Sequence, residues 1–117
     1  MTRDKLRASI QGLYGIADAS ACQGDPVRGI AQLLEGGCRL VQLRCKGWSR
    51  MDVEVAARQA ASLCKASGAI FIINDFPELV TTCGAHGVHI GQTDQTPEDT
   101  RKLIGNDKII GITNNDP

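Results

Sequence analysis

The sequence has few aromatic residues and no surplus of charge of either sign. Of its 117 residues only one is Trp, one is Tyr and two are Phe, and thirteen Lys and Arg balance thirteen Asp and Glu. Proteins that bind nucleic acid usually carry a basic surplus, and those that bind single strands usually offer aromatic side chains for stacking. The composition therefore argues against a nucleic-acid partner.

Long hydrophobic runs and paired cysteines are also missing. No apolar run approaches the roughly 20 residues that a membrane-spanning helix needs, and residues 1–11 are too polar for a signal peptide. The five cysteines are an odd number without a C-x-x-C pair, which argues against a disulfide framework and favours a reducing compartment. We therefore predict a cytoplasmic protein that does not associate with membranes.

Short apolar runs alternate with helical segments along the chain. The runs predict five strands, at residues 12–18, 39–46, 70–73, 88–90 and 108–113. Capping residues and glycines predict four helices, beginning near Pro26, Ser49, Pro77 and Thr96. This alternation predicts a parallel α/β sheet. Both a doubly wound open sheet and an incomplete (β/α) barrel fit, since a barrel of eight strands takes about 250 residues.

The second predicted strand carries three long polar side chains. Gln42, Arg44 and Lys46 are spaced two residues apart, so in a strand all three lie on one face. Ligands of parallel α/β folds bind at the carboxyl ends of the strands, and two cations there would suit a polyanion. The alternative is an exposed edge strand with a solvated polar face.

Acidic residues follow the third and fourth predicted strands. Asn74 and Asp75 come directly after four apolar residues, and Asp94 follows the fourth strand. Two carboxylates in neighbouring loops beside a pair of cations are typical of a Mg²⁺ ion that is shared with a phosphate group. The alternative is that Asp75 and Asp94 cap the helices that follow them.

Cys83, His86 and His89 form a C-x-x-H-x-x-H run that has the residue types of a zinc site. Gly84 and Gly87 interrupt the run, so we expect the turn between helix and strand to separate the three side chains. No fourth ligand stands nearby in the sequence. Zinc is therefore the less favoured metal.

The chain resembles the thiamine-phosphate synthase family in five segments that occur in order from about residue 12 to the end. The joint occurrence of Gln-x-Arg-x-Lys, Asn-Asp and Gly-Gln-x-Asp is more specific than any one of them. The segments are Gly12-Leu-Tyr-x-Ile-x-Asp18, Glu35-Gly-Gly-x-Arg-Leu-Val-Gln-Leu-Arg-x-Lys46, Ile73-Asn-Asp75, Gly84-Ala-x-Gly-Val-His-Ile-Gly-Gln-x-Asp94 and Ile109-Ile-Gly-Ile112.

The resemblance implies a fold and a reaction. The fold would be a TIM barrel, of which residues 1–117 would form the N-terminal half, with about five strands and four helices. The family is a transferase of thiamine biosynthesis. It couples hydroxymethylpyrimidine diphosphate with thiazole phosphate and releases pyrophosphate.

The resemblance also implies roles for individual residues. Gln42, Arg44, Lys46, Asn74 and Thr113 would bind substrate, and Arg44 and Lys46 would also act in catalysis by stabilising the diphosphate leaving group. The cofactor would be Mg²⁺. Its ligands would be Asp75 and Asp94.

The chain departs from the family pattern at a few positions. Cys45, Phe76 and His86 replace an acidic residue, a basic residue and an Asp, respectively, and Thr113 replaces a Ser while keeping a hydroxyl group. The family segments that would hold the thiazole phosphate are absent. We therefore expect either a homo-oligomer or a separate C-terminal half.

Three other functions fit part of the sequence. A receiver domain also has five βα units, with a phospho-accepting Asp for which Asp75 is the candidate, but Thr113 is not followed by Lys. A non-catalytic fragment that binds diphosphate would keep the same motifs. A thiazole tautomerase-like protein of the same superfamily would share the barrel without the coupling reaction.

Overall fold

The computed structural model describes residues 14–91 and 96–112. Five strands and four helices alternate along them. The strands are β1 (Tyr14–Asp18), β2 (Leu40–Arg44), β3 (Ile70–Asn74), β4 (Gly87–Ile90) and β5 (Ile109–Ile112), and the helices are α1 (Pro26–Glu35), α2 (Arg50–Ser67), α3 (Glu78–Cys83) and α4 (Pro97–Ile104).

Local capping interactions fix where the helices begin. The Ser49 hydroxyl accepts a hydrogen bond from the Asp52 N–H at 3.1 Å, and the Thr96 hydroxyl accepts one from the Asp99 N–H at the same distance. Each satisfies a backbone donor that has no partner within its helix. These are the helix starts that the sequence predicted.

The strands form one parallel sheet in the order β1-β2-β3-β4-β5. A doubly wound sheet reverses its strand order at a switch point, whereas a barrel adds each strand beside the previous one. The observed order is that of a (β/α) barrel. Among the described residues β1 and β5 each pair with a single strand, so the sheet is not closed. The predicted incomplete barrel is confirmed.

One face of the sheet, which we call the outer face, is covered by the helices. Val41, Leu43, Phe71, Ile73 and Val88 alternate onto this face from β2, β3 and β4. They are 0–1% exposed and belong to one apolar core together with buried residues of all four helices. Removing this apolar surface from water is the main favourable term in the stability of the fold.

The opposite face, which we call the inner face, has a smaller apolar cluster and the polar residues. Leu40, Ile70 and Ile72 form that cluster with Ile109, without any helix residue. The register pairs Leu40 with Ile70 and Gln42 with Ile72. Polar side chains therefore follow the apolar cluster toward the carboxyl ends of the strands.

The second strand ends two residues earlier than the sequence predicted. β2 stops at Arg44, and Lys46 lies in the turn before Gly47, whose φ of 86° is readily adopted only by glycine. The alternation that assigned Lys46 to the same face as Gln42 and Arg44 therefore does not extend to it. In the part of the chain that the structure describes, no helix has both the length and the hydropathy of a membrane span.

Candidate functional site

Three polar residues stand at the carboxyl ends of neighbouring strands. Asp18, Arg44 and Asn74 are the last residues of β1, β2 and β3. In β/α barrels this end of the sheet carries the active site, because each strand there is followed by a loop. The sequence predicted that Arg44 and Asn74 lie at this end of the sheet, and the structure places them there.

Arg44 forms an ion pair across the first two strands. Its Nη1 lies 2.9 Å from Oδ2 of Asp18, with the two side chains 38% and 27% exposed. A hydrogen bond from the Ser20 N–H, followed by the charge of Arg44, lowers the pKa of Asp18. The other N–H groups of Arg44 have no acceptor among the described residues. Arg44 is thus held in place with donors available to an anion.

A row of hydrogen bonds crosses β1, β2 and β3 on the inner face. Nε2 of Gln42 donates to the Tyr14 hydroxyl at 2.7 Å, and Nδ2 of Asn74 donates to Oε1 of Gln42 at 3.0 Å. Gln42 is only 2% exposed, and β2 lies between two strands. The alternative of an exposed edge strand with a solvated face is therefore wrong.

Asp75 follows β3 in an uncommon backbone conformation. Asp75 and Phe76 have φ values of 60° and 53°, in the left-handed region that residues other than glycine rarely adopt. The Asp75 N–H donates to the carbonyl of His89 at 2.9 Å, so pairing with β4 holds this conformation. Consecutive strained residues are typical of ligand sites.

The carboxylate of Asp75 does not cap the next helix. The N-cap of α3 is Pro77, and no side chain caps that helix. Within the described residues no donor or cation pairs with the Asp75 carboxylate. The capping alternative is wrong for Asp75, and the carboxylate is available to a cation.

Lys46, Asp94 and Thr113 complete the set of predicted site residues. Lys46 is exposed in the turn after β2, close in sequence to the strand end that carries Arg44. Asp94 and Thr113 lie outside the described residues. Their predicted roles, in binding the metal and the substrate, stay predictions.

Two of the positions that depart from the family pattern lie on the outer side of the sheet. The Cys45 side chain is 6% exposed and belongs to the outer core. Its burial, and then the nearby Asp18 charge, raise the pKa of the thiol to about 11. Phe76 also packs against the outer core. Neither residue takes part in the inner-face hydrogen bonds.

His86 lies at the opposite end of the sheet, before β4. Its Nδ1 accepts a hydrogen bond from the Phe71 backbone N–H at 3.0 Å, and the backbone N–H of His86 donates to the Phe71 carbonyl at 2.8 Å. Burial, with the nearby Lys108 charge, lowers the pKa of the imidazole. His86 thus acts as a neutral acceptor in the strand pairing, remote from the strand ends that carry Arg44.

The three residues of the C-x-x-H-x-x-H run have different surroundings. Cys83 lies near the backbone carbonyl of Glu54 in α2, with the sulfur 3.9 Å away, and His86 bonds to β3. His89 is in register with Gly111 of β5. Within residues 14–91 and 96–112, no three His, Cys, Asp or Glu side chains are placed to hold a metal ion.

Two contributors to the site did not appear among the predicted site residues. Tyr14 holds Gln42, and Asp18 holds Arg44. Both stand in the first family segment, at positions 14 and 18 of a strand in which residues 14, 16 and 18 share one face. Their even spacing, which places both on the face that carries Gln42 and Arg44, was the signal that could have identified them.

The order of the strands and the residues at their carboxyl ends together define the class of protein. Five parallel strands are wound as in a β/α barrel. A cation, two amides and the Asp75 carboxylate, which has no partner within the described residues, gather toward their carboxyl ends. Such a site suits an anionic ligand that is accompanied by a metal ion.

Comparison with known proteins names the family. The family model for thiamine monophosphate synthase matches residues 13–117. The thiamine-phosphate synthase of Marinobacter nauticus is 44% identical over 92% of this chain and 50% of its own length, and that of Bacillus licheniformis is 40% identical over 97% of this chain and 52% of its own. The chain belongs to the thiamine monophosphate synthase family.

A solved structure agrees with this family membership. The thiamine phosphate pyrophosphorylase from Pyrococcus furiosus superposes with a TM-score of 0.79 at 26% identity, over 92% of this chain and 51% of that chain. The chain therefore spans about half the length of the relatives that it matches, and it corresponds to their N-terminal half. These matches favour the synthase interpretation over the receiver and tautomerase alternatives.

Proposed function

We propose that this chain carries the diphosphate-binding half of a thiamine-phosphate synthase, the transferase of thiamine biosynthesis that joins hydroxymethylpyrimidine diphosphate to thiazole phosphate. The observation that carries the proposal is the juxtaposition of Arg44, Asn74 and Asp75 at the ends of adjacent strands. Each of the three has a donor or an acceptor without a partner among the described residues.

Arg44 and Lys46 would stabilise the leaving diphosphate. The Arg44 guanidinium, fixed by Asp18 at 2.9 Å, keeps donors for the phosphate oxygens, and a guanidinium can bind two of them at once. The exposed Lys46 ammonium would add a mobile charge. Donors that are held in place before the reaction stabilise developing negative charge without a cost of reorganisation.

The residues present fit a magnesium ion. Mg²⁺ prefers oxygen ligands, and the Asp75 carboxylate is an oxygen donor with no other partner in the described chain. Asp75 and Asp94 would hold the ion, which would supply positive charge to the diphosphate oxygens. The protein side chains would set its position and exclude other orientations of the diphosphate.

The proposed site is tested by calorimetry with inorganic pyrophosphate, with and without MgCl₂. The unmodified chain is expected to bind pyrophosphate more tightly in the presence of Mg²⁺. Arg44→Ala and Asp75→Ala should each weaken this binding by about 1.5–3 kcal/mol, because each removes a charge-assisted contact.

Two variants at the other end of the molecule are matched controls. Lys65→Ala removes an exposed cation at the end of α2, and Asp107→Ala removes an exposed carboxylate before β5. Both should bind pyrophosphate as the unmodified chain does. Unchanged binding by both site variants would overturn the assignment of the site.

The proposal includes a partner for the open sheet. We propose that further βα units, carried by a C-terminal half or by a second copy of this chain, pair with the edges at β1 and β5. In support, each of these strands pairs with one neighbour among the described residues, and Leu103 of α4, the helix that precedes β5, is 52% exposed. An unpaired strand edge is a template for further pairing.

The association of the chain and its catalytic activity are measured separately. In light scattering the chain alone should have the mass of an associated species, or else it should be a monomer that unfolds readily. It should not form thiamine phosphate from the two substrates with Mg²⁺. Addition of the C-terminal half of the Marinobacter nauticus relative should restore synthesis if that half completes the site. A stable monomer that turns over at about 1 s⁻¹ or more, as ordinary enzymes do, would contradict the need for a partner.

The proposed compartment is the cytoplasm. In support, all five cysteines are free thiols, four of them buried, as is usual for proteins kept in a reducing environment. Fractionation of the native host with an antibody against the chain would test this, with recovery outside the cytoplasmic fraction as the contrary outcome.

A further inference from the structure

The turn after β3 has the most strained backbone within residues 14–91 and 96–112. It is the one place there where two consecutive residues other than glycine have positive φ values, 60° at Asp75 and 53° at Phe76. Asp adopts the left-handed region more readily than most residues, whereas a bulky aromatic residue there is an outlier. Phe76 also precedes Pro77, and the residue before a proline is normally extended. The strain of the turn is therefore concentrated at Phe76.

The turn exchanges the faces on which two side chains lie. Phe71 and Ile73 are on the outer face, so continued alternation would put residue 75 on the outer face and residue 76 on the inner face. Instead, Phe76 packs against the outer core and Asp75 is only half-buried. A carboxylate enclosed under the helices without a partner would be costly. The left-handed turn thus places the apolar side chain in the core and leaves the carboxylate outside it.

Two backbone hydrogen bonds flank the turn. The Asp75 N–H donates to the His89 carbonyl at 2.9 Å, and the Phe76 carbonyl accepts from the Leu79 N–H at 2.9 Å. Both bonds use only backbone groups and do not depend on the side chain at position 76. The Phe76 ring adds a further constraint, because the left-handed conformation removes its apolar surface from water. Strained residues persist where their surroundings favour them in this way.

We propose that Phe76 is a positioning residue of the metal site: its ring, held in the outer core, keeps the turn in the conformation that leaves the Asp75 carboxylate available to Mg²⁺. This inference rests on the proposed function, because it assumes that Asp75 binds the ion that accompanies diphosphate. Phe76 acts without contacting the ion or the diphosphate. It thereby gives a role to a position at which the chain departs from the family pattern.

The experiment measures how strongly Mg²⁺ tightens the binding of pyrophosphate, by calorimetry with and without MgCl₂. Phe76→Gly removes the ring while its backbone can adopt a positive φ without strain, whereas Phe76→Leu keeps an apolar side chain for the core. Phe76→Gly should lower the Mg²⁺ enhancement about tenfold, toward that of Asp75→Ala, as for the loss of one charge-assisted contact. Phe76→Leu should keep most of it. Binding without Mg²⁺ should be unchanged in both.

The double variant Asp75→Ala/Phe76→Gly tests whether Phe76 acts through Asp75. Its Mg²⁺ enhancement should equal that of Asp75→Ala, because both changes remove the same ligand. Ile30→Ala is the matched control, since it weakens the same outer core from α1. It should lower the melting temperature without changing the Mg²⁺ enhancement. A further loss in the double variant, or an equal loss in Ile30→Ala, would assign the effect to general stability and overturn the proposal.

Hydrogen exchange of the Asp75 N–H reports on the turn without any ligand. The bond to the His89 carbonyl should protect this N–H in the unmodified chain and in Phe76→Leu, and less so in Phe76→Gly. Phe76→Gly must lose both this protection and the Mg²⁺ enhancement, and retention of either one would overturn the role of Phe76 alone. If Mg²⁺ does not tighten pyrophosphate binding by the unmodified chain, the proposed function is wrong and this proposal with it.

Discussion

The outer and inner faces of the sheet are built from the same strands but have different residues. On the outer face, Leu43 and Phe71 are at most 1% exposed within a core that includes all four helices. On the inner face of the same two strands, Arg44 pairs with Asp18 and Asn74 bonds to Gln42. Alternation along each strand thus separates the groups that stabilise the fold from those that carry the site.

The difference predicts which substitutions change stability and which change binding. Outer-face side chains are enclosed, so a smaller side chain leaves a cavity that the helices cannot fully close. The ion pair of Arg44 and Asp18 at the strand ends of the inner face is partly exposed, with the two side chains at 38% and 27%. Their loss should cost little stability and should appear instead in the affinity for pyrophosphate.

The largest expected effect is on the outer face. Phe71→Ala should lower the free energy of unfolding by about 3–5 kcal/mol, because Phe71 is 0% exposed and fills the space between β3 and the helices. Urea denaturation measures this change. Ile16→Ala on the inner face, where the residue is 53% exposed, should change it by about 0.5 kcal/mol or less. Equal losses would contradict the division between the faces.

A substitution that adds volume to the inner face should have the next largest effect. A Cβ atom on Gly111 would lie 2.8 Å from Nδ1 of His89, the residue with which Gly111 is in register. Gly111→Ala should therefore displace the His89 ring and lower the free energy of unfolding by about 1–3 kcal/mol.

The control for Gly111→Ala is a glycine that has room for a methyl group. At Gly36 the nearest atoms to a new Cβ lie at 3.5 and 3.6 Å, and its φ is −77°. Gly36→Ala should be neutral or slightly stabilising in the same denaturation experiment. A loss at Gly36 equal to that at Gly111 would show that the contact with His89 is not the cause.

A smaller effect is expected where the inner face carries charge. Asp18→Asn keeps one oxygen, which can accept from the Ser20 N–H, but it replaces the oxygen that accepts from Arg44 by an NH₂ group and removes a negative charge beside a site proposed to bind an anion. Pyrophosphate should therefore bind a few-fold more tightly at low ionic strength, and the difference should shrink as salt screens the charges. Calorimetry at two salt concentrations measures both. Weaker binding would show that orientation of Arg44 by the charged carboxylate outweighs the repulsion.

Local patterns in the sequence were sufficient to predict the elements, but they did not decide between a doubly wound sheet and a barrel. The apolar run at 70–73 and the caps at Ser49 and Thr96 act over a few residues, and the structure has a strand and two helix starts at these positions. The incomplete barrel followed from the alternation of strands and helices combined with the family resemblance.

Long-range contacts could not be predicted in the same way. The bond between Tyr14 and Gln42 joins residues 28 positions apart and depends on the register of β1 with β2. The end of β2 at Arg44, which places Lys46 in a turn, depends on Gly47 and on the loop beyond it. The strained conformation at Asp75 depends on pairing with His89. Each of these required the assembled sheet.

The smallest expected effect is a dependence of stability on pH at the opposite end of the sheet. The pKa of His86 is lowered in the folded chain by burial and by Lys108, while an unfolded His titrates near pH 6.5. Above about pH 6.5 the imidazole is neutral in both states, and its hydrogen bond from the Phe71 N–H is intact. As the pH falls below that value the unfolded state takes up a proton first, so stability decreases until the folded pKa is passed.

His86→Asn tests this cause, because its Oδ1 can accept from the Phe71 N–H and does not titrate. The melting temperature of the unmodified chain should fall as the pH is lowered from 7 to 5, and that of His86→Asn should fall less. Asp18, whose pKa is lowered, acts only near and below about pH 4 and so does not contribute in this window. A parallel fall in both proteins would assign the pH dependence to another group. It would also show that protonation of His86 does not lower the stability of the folded chain.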